Sequence, residues 1–274
     1  MATDSRKQSP KLIRYRHPRV FPLELWDLWI GERILWDTIR DSVFPHILQE
    51  ALINLRAGCG ATRSDGPVPS EIRGFDALWL GGGGCDAALR KMLRDSPYPV
   101  HFAEAEAFAG ECGGLALLAQ QGCAGCVVDL GQTQLKISTR EKRWTFARDF
   151  KALPVRDDDA DYDHAAQRLR LREFIASSLR ECGVQPEAVV FALPARLGDD
   201  GKPEGSSYAG MRGDARLVPD ALALAGLAPR IVFVLNDAEL AALSALADVR
   251  VSPAKRTLVL TLGFGLGAAL LLPA

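Results

Sequence analysis

No apolar run in this chain reaches the roughly 18–20 residues that a membrane span needs. Neither sign of charge dominates: 33 Lys and Arg against 34 Asp and Glu leave a formal net charge of -1. A near-neutral chain has no global basic field to recruit nucleic acid or an anionic membrane, and no helix-turn-helix extension is apparent, so neither partner is expected. The opening segment, MATDSRKQSPKLIRYRHPR, is polar and basic and lacks the apolar core of a secretory signal. The six cysteines are scattered, so reduced thiols and a cytoplasmic location are expected. Cys123 and Cys126 form a C-x-x-C, but no second such pair exists to complete a tetrahedral zinc site. A strand follows them instead of the helix N-terminus that lowers a redox thiol, so small buried thiols are the preferred reading.

The 274 residues, 48% of them hydrophobic, suffice for one large domain or two lobes. Residues 11–21 read as one strand. Ile34, Leu35, Ile39, Val43, Ile47, Leu48, Leu52 and Leu55 recur at helical spacing. Pro45 divides or kinks that helix, and Gly58 and Gly60 end it. FDALWL, YPVHFA, EAVVFALPA and RIVFVL are short apolar strands, and helical patterns lie between them. Hairpins interrupt the alternation at 135–150 and 257–272. The fold class is therefore α/β with mixed sheets. A long polar loop, 196–214, is of the size that tends to be functional.

Four stretches carry candidate chemistry. In CVVDLGQTQLKIS, Asp129, Gly131, Thr133 and Lys136 lie between two strands. Such a turn brings backbone N–H groups close to a phosphate, while an Asp at the strand end suits hydrated Mg²⁺. A plain hairpin turn uses the same residues. In VFVLNDAELAAL, an apolar strand ends in Asn236 and Asp237, and a helix starts at once. Helix capping is the alternative to a site role there. In LTLGFGLGAAL, Gly263, Gly265 and Gly267 punctuate two apolar runs. In LWLGGGGCDAAL, Gly81, Gly82, Gly83 and Gly84 join a strand to a helix. That last stretch lacks the spacing and the downstream acid of a dinucleotide fingerprint, so NAD binding is rejected.

Together these motifs resemble the ROK and glucokinase-like sugar kinases of the actin-like ATPase superfamily. That family's D-I-G-G-T appears here as DLGQT, its strand ending in proline as VVFALPA, its N-D-A as LNDAEL, and its L-G-T-G-x-G as LGFGLG. The family's later pieces, a long helix, a strand with a Gly-rich adenosine motif and a small-residue helix, come first here. The resemblance covers nearly the whole chain in rotated order and implies a circular permutation. It implies two RNase H-like lobes, one of residues 121–250 and one of 1–120 joined by 254–274, with a nucleotide cleft between them. Residues 11–21 would continue the sheet of the second phosphate hairpin.

The activity so implied is transfer of a phosphoryl group from ATP to a hydroxyl of a sugar or small polyol, with Mg²⁺. Asp237 would be the base and Asp129 the metal ligand. Gly131, Gln132, Thr133, Lys136, Gly263, Phe264, Gly265 and Gly267 would meet phosphates. Gly81, Gly82, Gly83 and Gly84 would hold adenosine, and Asn236 and Glu239 the acceptor. The chain departs from the pattern in four places. Phe264 stands where a hydroxyl residue is usual, and Gln132 where a second Gly is common. The Cys-rich zinc loop is absent. The sugar-gripping Glu and His have only His17 and Glu24 as loose counterparts. These losses keep two alternatives open: a nucleotide- or sugar-binding relative with weak chemistry, and a kinase for a non-sugar acceptor. Trp26, Trp29 and Trp36 are read as core packing, with a homodimer patch as the lesser alternative. The acidic run Asp157, Asp158, Asp159, Asp161 and Asp163 is read as a solvated linker, and His164 beside Asp163 as a helix start.

Overall fold

A computed structural model describes residues 10–24, 48–49, 52–53, 56–57, 62–63, 66–67, 74–154, 163–204, 208–263 and 266–274. The chain is α/β, with two multi-stranded sheets and no closed barrel among the described residues. It divides into two compact units. One comprises residues up to Tyr15 with Leu117–Asn236, the other Arg16–Ala116 with Asp237–Ala274.

The first unit holds a six-stranded sheet. Its strands are β1 (Lys11–Arg14), β7 (Gly125–Leu130), β8 (Gln134–Ser138), β9 (Arg143–Ala147), β10 (Ala188–Leu193) and β11 (Ile231–Asn236). They lie in the order β1-β11-β10-β7-β8-β9. β7, β8 and β9 form an antiparallel meander, while β10 and β11 add parallel to β7. Parallel strands need crossover helices. One is α3 (His164–Cys182), between β9 and β10. The other is α4 (Leu217–Leu224), between β10 and β11. Leu171, Ile175 and Leu179, four residues apart on α3, pack with Cys126, Val128, Leu130, Val189, Phe191 and Val232 on one face of the sheet. Asp163 caps this helix by accepting the Ala166 N–H, and Gly183 ends it at φ 65. Asp163 thus takes the helix-start role expected of it. Cys126 is fully buried in the same core, and burial pushes its thiol up to about 12, which suits an inert structural cysteine.

The second unit holds a seven-stranded sheet in the order β4-β3-β2-β13-β12-β5-β6. Its strands are β2 (Val20–Glu24), β3 (Thr62–Arg63), β4 (Gly66–Pro67), β5 (Ala77–Gly81), β6 (Val100–Phe102), β12 (Thr257–Leu262) and β13 (Leu266–Leu271). β12, β13 and β2 form an antiparallel meander, and β5 and β6 add parallel to β12. The two sheets therefore share one inner arrangement, a three-stranded meander followed by two parallel strands. In the second sheet the strands of the meander come from opposite parts of the sequence. Leu78, Leu80, Leu258, Leu260, Leu262 and Leu270 bury one face with Leu48, Leu52, Leu89 and Leu93. Leu89 and Leu93 belong to α1 (Ala87–Leu93), and α5 (Asp237–Ala247) packs on β12 and β13. α2 (Glu111–Gln120) lies close to α5: the Gly113 N–H donates to Ser244 Oγ at 2.7 Å, and a Cβ on Gly113 would sit 2.2 Å from the Ser244 nitrogen.

Residues 11–21 are not one strand. β1 pairs with β11 in the first sheet, and only β2 continues the sheet of β12 and β13. Alternating side chains predict a strand but not its neighbour, and the break at Tyr15–Arg19 sends the two halves apart. The unit boundary at Asn236–Asp237 groups α5 with the second unit. Most of the helix read at 32–58 lies outside the described residues, although Leu48, Gln49, Leu52, Ile53 and Arg56 are helical. Trp26, Trp29, Trp36, Pro45, Gly58, Gly60 and the acidic residues 157–161 also lie outside them.

Phe191 is fully buried at the centre of the first core. Phe191→Ala is expected to destabilise the first unit by about 3–5 kcal/mol. Urea denaturation followed by far-UV circular dichroism checks this, and a loss below about 1 kcal/mol contradicts the packing described.

Candidate functional site

In the first unit the parallel strands end in register. Asp129 on β7 pairs with Ala192 on β10, and Leu193 pairs with Asn236 on β11. The carboxyl ends of parallel strands are where α/β sheets bind ligands. Asp129 is partly exposed there, and Lys136, its cross-strand partner on β8, places Nζ 3.5 Å from its carboxylate. One chain turn thus carries a carboxylate, an ammonium and the polar residues 131–134.

The turn is held from beneath. Gly131 donates its N–H to Gln134 O at 2.9 Å, which closes the hairpin. Gly131 does not have left-handed backbone; a Cβ added there would lie 3.1 Å from Gln134 O. Gly131 O accepts the Tyr208 hydroxyl at 2.6 Å, and Gln132 O accepts Arg148 Nη1 at 2.8 Å. Arg148 also donates to Leu153 O at 2.7 Å and Pro154 O at 2.6 Å, and its guanidinium lies 3.6 Å from the Tyr208 ring centre. Arg148 is only 5% exposed. A buried guanidinium needs its donors satisfied, and these carbonyls with an aromatic face do so. Burial pushes the Tyr208 hydroxyl up to about 12 despite the opposing charge of Arg148, so it remains a donor at neutral pH. Gln132 Oε1 is buried without a hydrogen-bond partner among the described residues.

Asn236 donates from Nδ2 to Ala195 O at 2.9 Å, tying the end of β11 to the chain after β10. Strand alternation sets Asn236 on the face of Val234 and Leu193, and Asp129 on the face of Val127 and Ala192.

In the second unit two of the glycine stretches meet. The Gly84 N–H donates to Leu262 O at 2.7 Å, so the turn after β5 is bonded to the end of β12. Gly82 has φ +97, and a Cβ there would sit 2.3 Å from the same carbonyl oxygen. A Cβ on Gly81 would meet Ala109 Cβ at 2.4 Å, whereas Gly83 is exposed with open space around it. Packing therefore demands glycine at 81 and 82, whereas Gly83 is open to a ligand on that count. The turn leads into α1, whose N-cap Asp86 accepts the Leu89 N–H at 2.8 Å. Arg90 on α1 forms an ion pair with Glu106. In the β12–β13 hairpin, Leu262 pairs with Leu266 around a three-residue turn. Gly263 in that turn is exposed, and Phe264 and Gly265 lie outside the described residues. Gly267 makes room for Thr261, whose Oγ1 would be 2.3 Å from an added Cβ.

Asp237 is the first residue of α5 and is half-buried; its Oδ1 accepts the Ala238 N–H at 2.9 Å. Glu239, two residues on, is 4% exposed. His17 Nδ1 accepts the Arg19 N–H, and burial, with the charge of Arg19 adding to it, lowers its pKa. Glu24 ends β2.

Sequence reasoning did not find Arg148 or Tyr208. Arg148 reads as one of several basic residues in a hairpin, and Tyr208 as part of a polar loop; no local pattern links them, and the structure shows Tyr208 to be 2% exposed. No group of three or more His, Cys, Asp or Glu side chains suited to hold a metal ion occurs among the described residues. No helix among them is long and apolar enough to cross a membrane.

No known protein family, curated protein or solved structure matches the chain.

Gly82→Ala forces a Cβ against Leu262 O at a backbone angle that only glycine adopts readily. The substitution is expected to cost about 1–3 kcal/mol and lower the melting temperature by several degrees. Gly83→Ala, in open space, is the control and should leave it nearly unchanged. Equal melting temperatures for the two variants would contradict the geometry.

Proposed function

We propose that the chain is an ATP-dependent phosphotransferase with two RNase H-like lobes, a rotated relative of the ROK and glucokinase-like kinases, acting on a hydroxyl of a sugar or small polyol. The supporting observation is the repeated sheet: a three-stranded meander and two parallel strands, twice. This is the layout the resemblance calls for. In each sheet the first hairpin of the meander carries a glycine-bearing turn, and the fifth strand of the first sheet runs directly into Asp237. The second meander takes β12 and β13 from one part of the sequence and β2 from another, which favours the rotated order.

The roles follow from chemistry. The acceptor oxygen attacks the γ-phosphorus, the bond to the β–γ bridging oxygen breaks, and ADP leaves. Asp237 takes the hydroxyl proton as the new bond forms. Gln132 and Thr133, with Lys136, meet phosphate oxygens. Mg²⁺, when bound, neutralises phosphate charge. Asp129 would be the protein ligand to that ion, a role one carboxylate can fill for Mg²⁺. Lys136 balances that carboxylate at 3.5 Å. Gly83 offers an open backbone to adenosine, and Asn236 holds the acceptor.

A second reading is a nucleotide-binding relative without turnover. Phe264 favours it, because no hydroxyl stands at that turn position to donate to phosphate.

ATP consumption with Mg²⁺ across hexoses, amino sugars and small polyols tests the proposal. Turnover with one acceptor is expected, and Asp237→Ala should lower kcat by about 10²–10⁴-fold without loss of ATP binding. Unchanged turnover in Asp237→Ala removes the base assignment. ATP binding with no turnover on any acceptor selects the second reading.

A further inference from the structure

The turn between β7 and β8 is shaped by a buried device that the proposed chemistry does not itself require. Three consecutive carbonyls, those of Gly131, Gln132 and Thr133, are all bonded to it: the first to the Tyr208 hydroxyl, the second to Arg148 Nη1, the third to the Arg148 N–H at 2.9 Å. No peptide bond among the described residues is cis. In a planar trans peptide the N–H points opposite to the preceding residue's C=O. Drawing the Gly131 and Gln132 carbonyls inward therefore turns the N–H groups of Gln132 and Thr133 away from the clamp. Among the described residues neither of these N–H groups meets an acceptor. Two adjacent turn N–H groups without internal partners, backed by a buried cation, are main-chain donors suited to an anion.

We propose that Arg148 and Tyr208 are positioning residues that hold the Gly131–Thr133 backbone as a preformed cradle for a phosphate group. They act through the backbone and do not touch the ligand. The assignment of that phosphate to ATP rests on the phosphotransferase reading above; the cradle itself asks only for a phosphate or pyrophosphate group. Tyr208 supplies two things at once, a hydroxyl for Gly131 O and a ring face for the guanidinium. Arg148 supplies donors that a lysine cannot reproduce, because it bridges the turn to Leu153 and Pro154 as well. The cradle is thereby fixed before a ligand arrives, so little ordering is needed on binding.

Tyr208→Phe is the informative variant, because it keeps the ring under Arg148 and removes only the hydroxyl. Inorganic pyrophosphate and ATP with Mg²⁺ are the probes. They are followed by calorimetry and by the amide resonances of Gln132 and Thr133. In the wild type both amides are expected to shift on adding pyrophosphate. In Tyr208→Phe the dissociation constant for each probe should rise roughly five- to tenfold. The KM for ATP should rise alongside, kcat at saturation should stay within about twofold, and the melting temperature should move by only a few degrees. Arg148→Lys should weaken binding further and not restore it. Wild-type affinity in Tyr208→Phe, or silent Gln132 and Thr133 amides when ATP binds, overturns the cradle alone. Amides that answer pyrophosphate while ATP fails to bind support the cradle and remove the kinase reading.

Discussion

The second sheet depends on the pairing of β13 with β2. Val20 lies opposite Leu271, and Leu23 opposite Ala268. Main-chain and side-chain bonds extend the seam: the Leu272 N–H donates to Arg19 O, and Arg19 Nε donates to Leu272 O at 2.8 Å across 253 positions of sequence. Without this seam β13 is an edge strand of the sheet β13-β12-β5-β6, and β2 with the β3–β4 hairpin is cut off from it. The consequences reach the glycine turns. β2 holds β13, β13 holds β12, and the end of β12 holds Gly84 through Leu262 O, while leaving Gly82 no room for a Cβ. Closing so long a loop costs only logarithmically more than closing a short one. It does place the second unit among topologies whose folding waits on long-range contacts.

The first unit is organised differently. Its meander is local in sequence, β10 and β11 are added through α3 and α4, and β1 joins β11 in parallel from the start of the chain. Its polar turn is stiffened by a buried guanidinium whose donors go to carbonyls. The arrangement is stable because those buried donors and carbonyls satisfy one another. The main-chain N–H groups of that turn have their direction set from behind by this clamp.

Much of this was legible in the residues. The apolar strands at 77–81, 188–193 and 231–236 read correctly because each is a short apolar run bounded by turn residues. The α3 helix read correctly because its apolar stripe, its Asp cap and its terminal Gly agree. The partner of a strand was not legible: β1 and β2 look like one element until pairing separates them. The role of a glycine was not legible either. Gly81 and Gly82 answer to packing, and Gly83 does not, yet the three are identical in sequence. Arg148 and Tyr208 were invisible because their function comes from a contact 60 residues apart that no local pattern encodes.

A phosphotransferase must bind the phosphates of ATP, and the β7–β8 turn is their proposed seat. Equilibrium dialysis with labelled ATP and Mg²⁺ tests it most directly. Saturable binding of about one nucleotide per chain, with competition by pyrophosphate, is the predicted result. No saturable binding up to about 1 mM nucleotide, where even a weak site would fill, contradicts it.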